Sequence, residues 1–314
     1  DLVTGVQTCA LPISLAIACI TFTTGYAHEG TELSTKDLAS QIGKTETELK
    51  EIDKKIIAYN EKVIANQDDA DTHFNLGVLY EQKMKFNDAI SEYQKTIQLK
   101  PDAIEARINL SLVYTERNMY EESVGTLKQV LKIDPDNVDA HKYLGRSYYK
   151  TGLLNEALGE FKRALELEKK DPEIHCYLES VYFSMGQLDD AVAELKKAIE
   201  IDPQFKTAHL NLGFVYYEQG KLDEAMEEYE LAIGIDPKFA DAYSNMGLVY
   251  CEKKMFDDAI TILKKAIEIN PTLPDAHSNL GFAYWNKGLT DKDEEMKKKA
   301  MREVTIYKGL IGAQ

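Results

Sequence analysis

Five of the six histidines, His73, His141, His175, His209 and His277, are separated by 34 residues or by twice that number. Imidazole is a common zinc ligand, so a regular row of this kind invites a metal reading. The spacing argues against it. If each histidine sits on its own helix, neighbours stand about 8–10 Å apart at helix-packing distance. Zinc takes its nitrogens at about 2 Å from one ion. We read these histidines as half-buried packing residues between successive structural units, and expect no metal and no cofactor.

Two further rows keep the same step. Asp71, Glu105, Asp139, Glu173, Asp241 and Asp275 form an acidic row. A carboxylate at a helix N-terminus is favoured by the macrodipole, and the same row could select basic ligands at a groove rim. Asn75, Asn109, Asn211, Asn245 and Asn279 form an amide row, broken by Tyr143 and Tyr177. An amide offers a donor and an acceptor, which matches a peptide unit whatever its side chain. No Gly-rich phosphate loop, His-Glu-x-x-His helix or Cys-x-x-Cys pair appears, and no catalytic residue is assigned.

These rows are positioned by a repeat. Units begin at Ala70, Ile104, Val138, Pro172, Lys206, Ala240 and Pro274, a step of 34 each time. Place 7 holds Leu76, Leu110, Leu144, Leu178, Leu212, Met246 and Leu280. Place 11 holds Tyr80, Tyr114, Tyr148, Tyr182, Tyr216, Tyr250 and Tyr284, seven tyrosines in seven units. Residues four apart share one face of a helix. Place 8 is small in most units, as in Gly77, Gly145, Gly213, Gly247 and Gly281, which lets two helices approach closely. Place 20 is Ala or Ser from Ala89 to Ala259, and place 24 is large from Tyr93 to Leu263, so a second helix has its own apolar face. Pro101, Pro135, Pro203, Pro237 and Pro271 at place 32 prevent that helix from continuing. Each unit is a helix hairpin that cannot bury its apolar face alone.

Over residues 70–307 this pattern resembles the tetratricopeptide repeat family. The resemblance implies an all-α fold, a right-handed solenoid of antiparallel hairpins. The first helix of each pair would line a concave groove. It also implies that place 6 faces the groove, where sugar-transferring relatives use a similar asparagine row to grip a peptide backbone. The alternative is that asparagine is simply common there. On this basis the candidate peptide contacts are Asn75, Asn109, Asn211, Asn245, Asn279, Phe214, Tyr217, Phe282 and Trp285, with the amides facing solvent in the free protein. Chaperone-binding members clamp a terminal carboxylate with Lys and Asn at places 5 and 9. Here those places are mainly apolar or small.

Two units depart from the pattern. The fourth has Glu179 for glycine, with Lys169 where proline is expected, so its entry loop should have its own geometry. The seventh has Asp293 and Lys297 at places 20 and 24 and Ala300 at place 27, so its second helix reads as a polar, degenerate cap. Upstream, residues 28–69 hold a half repeat whose Leu49, Ile52, Ile56, Tyr59 and Val63 make one amphipathic helix. That helix reads as an N-terminal cap in preference to a dimerising coiled coil, since it has only about two heptads where a coiled coil wants three or four. Residues 308–314 form a tail.

The chain's 53 acidic and 37 basic residues give a net charge of −16, with no clustered Lys/Arg stripe. Nucleic-acid binding needs a basic face and is not expected. Residues 1–13 resemble one reading frame of a sequencing-library adapter. Residues 14–27, with uncharged Leu15–Phe22 and small Gly25 and Ala27, read as a truncated signal peptide. Export to a bacterial periplasm or cell envelope follows. A disulfide between Cys176 and Cys251, two units apart, is not expected. No later stretch is apolar enough to span a bilayer. The expected function is a non-enzymatic, monomeric scaffold that binds extended segments of partner proteins. The alternative is a cell-envelope assembly component that self-associates through its N-terminal helix or end to end.

Overall fold

A computed structural model describes residues 46–312. The adapter-like and signal-like segments, Cys9 and Cys19 lie outside the described residues. Among those described, the secondary structure is fifteen helices and no strand. The chain divides after Leu99 into two compact units.

The first unit holds α1 (Glu46–Ala65), α2 (Ala70–Gln82) and α3 (Phe86–Leu99). The amphipathic stripe of α1 buries Leu49 and Ile52 against Leu79 of α2, with Ile56 and Tyr59 half-buried beside them. Asp69 caps α2, its side chain accepting from the Asp71 amide, which satisfies one of the free N–H groups of the first turn.

The second unit is a solenoid of six hairpins. Its helices are α4 (Ile104–Glu116), α5 (Tyr120–Ile133), α6 (Val138–Lys150), α7 (Leu154–Leu167), α8 (Pro172–Ser184) and α9 (Leu188–Ile201). They continue as α10 (Lys206–Glu218), α11 (Leu222–Ile235), α12 (Ala240–Glu252), α13 (Phe256–Ile269), α14 (Pro274–Thr290) and α15 (Glu294–Leu310). Even-numbered helices begin at the sequence-derived unit starts. The place 7 residues are all buried, and Tyr114, Tyr148 and Tyr284 join them.

The glycine at place 8 is needed for packing. A Cβ on Gly213 would stand 2.6 Å from the Tyr229 ring, and one on Gly145 would stand 2.7 Å from the Phe161 ring. The hairpin closes so tightly at places 8 and 24 that ring and methyl cannot coexist. Where place 8 carries a side chain, as in Ser111 and Glu179, place 24 is the smaller Leu127 or Leu195.

The fourth unit's entry loop ends its helix like the others but lacks their turn bond, in which the amides of Asn137 and Phe205 donate to the carbonyls of Asp134 and Asp202. Glu168 ends α7 at φ −124°, ψ 93°, beside −132°, 92° for Asp134 and −134°, 94° for Asp202. The extended residue after the helix therefore does not depend on a following proline.

The seventh hairpin also differs from the expectation. Its first helix has 17 residues where the others have 13, one extra turn, and its partner is 17 residues long. Places 20 and 24 are consequently not filled by Asp293 and Lys297. Ala300 is buried, and Val304 is the side chain that faces Gly281 at 3.4 Å. An extra turn on each antiparallel helix moves the facing positions by seven residues, from 293 and 297 to 300 and 304.

Candidate functional site

Within the second unit, neighbouring first helices touch, α4 on α6, α6 on α8, and so on to α14. Among the described residues the second helices do not touch one another. A row packed closer on one side curves toward that side, so α4, α6, α8, α10, α12 and α14 line its inner face. Every candidate residue beyond Leu99 lies on one of these helices. Asn75 belongs to the first unit, on α2, where its amide donates to the Asp71 carbonyl at 2.6 Å.

The aromatic candidates cluster at the C-terminal end of the inner face. Phe214 on α10 packs against Phe183 on α8 with ring centroids 5.3 Å apart, which ties adjacent hairpins together. Tyr217 and Phe282 are half-buried and rest on the hairpin cores. Trp285 on α14 is the most open of the set, at 43% exposure. It is also the only tryptophan in the chain.

The asparagines differ from expectation. Asn211 donates to the Glu179 carboxylate at 3.2 Å. Asn245 hydrogen-bonds the Tyr229 hydroxyl. Asn279 donates to the Ser244 hydroxyl at 3.2 Å. All three reach back to the preceding hairpin, so they brace the stack and do not simply face solvent. Asn109 on α4 is half-buried.

Glu179 itself is a product of the departure at place 8. It is 5% exposed, and Ser180 and Asn211 both donate to it. Burial pushes its carboxyl up to about 7, against the pull of those two hydrogen bonds.

The histidines are more deeply placed than expected, and each joins the two helices of its own hairpin through Nδ1 while Nε2, in four of the five, reaches the segment that leads in from the preceding unit. Nδ1 of His73, His141, His175 and His209 lies 2.6–2.7 Å from Glu92, Glu160, Glu194 and Glu228, each 19 residues on, in the second helix of the same unit. In the lengthened seventh hairpin, His277 meets Glu303, 26 residues on. Nε2 of His73, His141, His209 and His277 meets the carbonyl six residues back, at Gln67, Pro135, Pro203 and Pro271. The signal was in the sequence. The first, third, fourth and fifth units, with histidine at place 4, carry glutamate at place 23, while Arg107 and Tyr243 go with Thr126 and Ile262. Reading places singly hides this pairing.

One helix departs from the expectation that Lys and Arg form no stripe. Lys142, Arg146 and Lys150 are four residues apart on α6, at places 5, 9 and 13. Cys176 and Cys251 are buried and free, their thiols pushed up by burial, to about 12 for Cys251. No helix among the described residues is long and apolar enough to cross a membrane.

Sequence profiles agree with this geometry. Profiles described as TPR repeat match residues 112–152, 180–220, 215–254 and 249–288. Tetratricopeptide repeat profiles match 138–171 and 70–103. The chain belongs to the tetratricopeptide repeat family, whose fold serves as a scaffold for protein interaction.

The crystal structure of yeast Tom70 is similar at 16% identity with a TM-score of 0.64, over 91% of this chain and 66% of that one. Cut9 in the APC/C hetero-tetramer Cut9–Hcn1 is similar at 19% identity with a TM-score of 0.61, over 81% of this chain and 49% of that one. These two likenesses concern the fold alone. The crystal structure of MamA is 32% identical over 52% of this chain and 95% of that one, with a TM-score of 0.46. A comparison with curated protein sequences gave no match.

Proposed function

We propose that the inner face of α10, α12 and α14 holds extended segments of partner proteins and performs no chemistry of its own. The observation that carries this is the placement of Phe214 and Tyr217 on α10 and of Phe282 and Trp285 on α14, the inner helices on either side of α12, with Trp285 open to solvent. Aromatic side chains on a surface supply large contact area at low entropic cost, and they dominate binding energy where they occur. The braced asparagines keep this face rigid, which lowers the cost of ordering on binding.

A displayed peptide library tests this reading. A selected peptide should lose about 30-fold or more in affinity on Phe214→Ala or Phe282→Ala, the loss expected of an aromatic anchor worth about 2 kcal/mol. Helicity should not change. Equal affinity for both variants would remove the aromatic face from the account.

A second reading is self-association through α1. Ile57 and Ile64 are 60% and 79% exposed and seven residues apart, so they form a stripe to one side of the buried Leu49 and Ile52. We favour a monomer, because two exposed residues make a small patch. Sedimentation of wild type beside Ile57→Asp/Ile64→Asp decides between them. We also infer export from residues 14–27. A mature N-terminus at His28, in protein expressed from the complete gene, is the expected result.

A further inference from the structure

One amide place braces three successive joints of the stack, and its acceptors differ. Asn245 meets the Tyr229 hydroxyl and Asn279 the Ser244 hydroxyl. Asn211, at the same place on α10, meets the Glu179 carboxylate on α8 at 3.2 Å. Serine does not titrate, and burial pushes the Tyr229 phenol further up. Of the three acceptors, Glu179 alone can change its charge near neutral pH.

The joint offers that charge no cation. Glu179 stands at place 8, which is glycine in five of the seven hairpins, and its side chain is 5% exposed. Its Oε2 accepts from the Ser180 hydroxyl at 3.3 Å and from Asn211, both neutral donors. The charged groups of the helices packed on α8 are engaged elsewhere. On α6, Lys142 pairs with Glu173, and Arg146 lies against the Tyr143 and Tyr177 rings. On α7, Glu160 meets His141. On α9, Glu194 pairs with His175 and Lys197. On α10, His209 meets Glu228. Cys176, three residues back on α8, keeps its proton, because burial and then the Glu179 charge push its thiol up. A carboxylate formed at Glu179 therefore regains solvation only if water reaches it between α8 and α10.

We propose that Glu179 makes the joint between the fourth and fifth hairpins a pH-sensitive hinge. As the neutral acid it holds α8 to α10 through Asn211, and as the carboxylate it admits water and opens the joint while the hairpins on either side stay folded. The hinge lies where the proposed peptide face begins, and it stands independently of that reading. Opening hydrates the carboxyl and returns it to its ordinary value of 4.5, whereas in the closed joint it is held up to about 7. The closed joint thus binds the proton more tightly, and the opening constant rises with pH across that span and levels off above it. The span limits the rise to about 300-fold.

The two buried cysteines supply the probe. Cys176 packs in the cluster that joins the fourth hairpin to Ala208 and Leu212 of the fifth, while Cys251 belongs to the cluster of the last two hairpins. Labelling of the full chain with 4,4′-dithiodipyridine, resolved by peptide mapping, gives the rate at each thiol. Their ratio cancels the reagent's own pH dependence and any global unfolding. Between pH 5 and pH 8 the ratio of Cys176 to Cys251 labelling should rise at least about tenfold, with the circular dichroism unchanged. Glu179→Gln should keep the ratio flat. If that variant fails to fold, Glu179→Gly, the residue of five other hairpins, carries the same expectation. A flat ratio in wild type, a rise that persists without the Glu179 carboxyl, or a rise accompanied by loss of helix would each overturn the hinge.

Discussion

The Nδ1 of His141 lies 2.6 Å from the Glu160 carboxylate, joining α6 to α7 from inside the hairpin. The bond is repeated in four other hairpins, with the imidazole buried each time. Truncating one member strands a buried polar partner, which costs about 1–3 kcal/mol. A double-mutant cycle of His141→Ala and Glu160→Ala, read by chemical denaturation, should therefore give a coupling energy of about 1–2 kcal/mol. Strict additivity would mean that the pair is a bystander.

The asparagine row should behave as part of the frame. Asn211→Ala, Asn245→Ala and Asn279→Ala together remove three inter-hairpin hydrogen bonds. At about 0.5–1.5 kcal/mol each, the triple variant should lose about 2–4 kcal/mol of stability. Thermal and denaturant melts would show it. An unchanged melt with weakened peptide affinity would return these amides to the ligand.

Glu179 gives a pH dependence of definite sign. Its folded pKa, raised from 4.5 to about 7, exceeds the unfolded value, so the unfolded chain ionises first as pH rises. Stability should therefore fall between about pH 4.5 and 7, by roughly 2–4 kcal/mol at most. Glu179→Gln keeps an acceptor for Asn211 without the buried charge. It should be more stable than wild type at pH 8 and little different at pH 4.5. Parallel stability profiles for the two proteins would contradict the buried-charge account.

Two glycines should respond with opposite sign. Gly213→Ala drives a methyl into Tyr229 and to within 3.1 Å of the Ala225 carbonyl, which should cost about 1–3 kcal/mol. Gly234, inside α11, has nothing within 4 Å of its would-be Cβ. Gly234→Ala should therefore stabilise by up to about 1 kcal/mol through helix propensity. Two losses of equal size would contradict the close packing at places 8 and 24.

The sequence made the hairpins legible because Leu at place 7, Tyr at place 11 and Pro at place 32 each report a local necessity. What it hid was relational. The link between His141 and Glu160 requires comparing two places across units. The partner of Gly281 moved to Val304 because α14 and α15 each gained a turn, and counting at a fixed step could not follow that shift. The asparagines were placed on the correct helices, but their reach back to Glu179, Tyr229 and Ser244 depends on how closely hairpins stack. The cations of α6, Lys142, Arg146 and Lys150, recur at a spacing of four and make no dense cluster in the chain.

Trp285 tests the central claim most directly. As the chain's only tryptophan, open on the inner face of α14, it reports from the proposed binding surface without a label. Titration with a library-selected peptide should shift its emission to the blue and protect it from acrylamide quenching, saturating at one peptide per chain. Phe282→Ala should weaken that transition. Tight peptide binding that leaves both the emission and the quenching of Trp285 unchanged would place the ligand elsewhere and contradict the account.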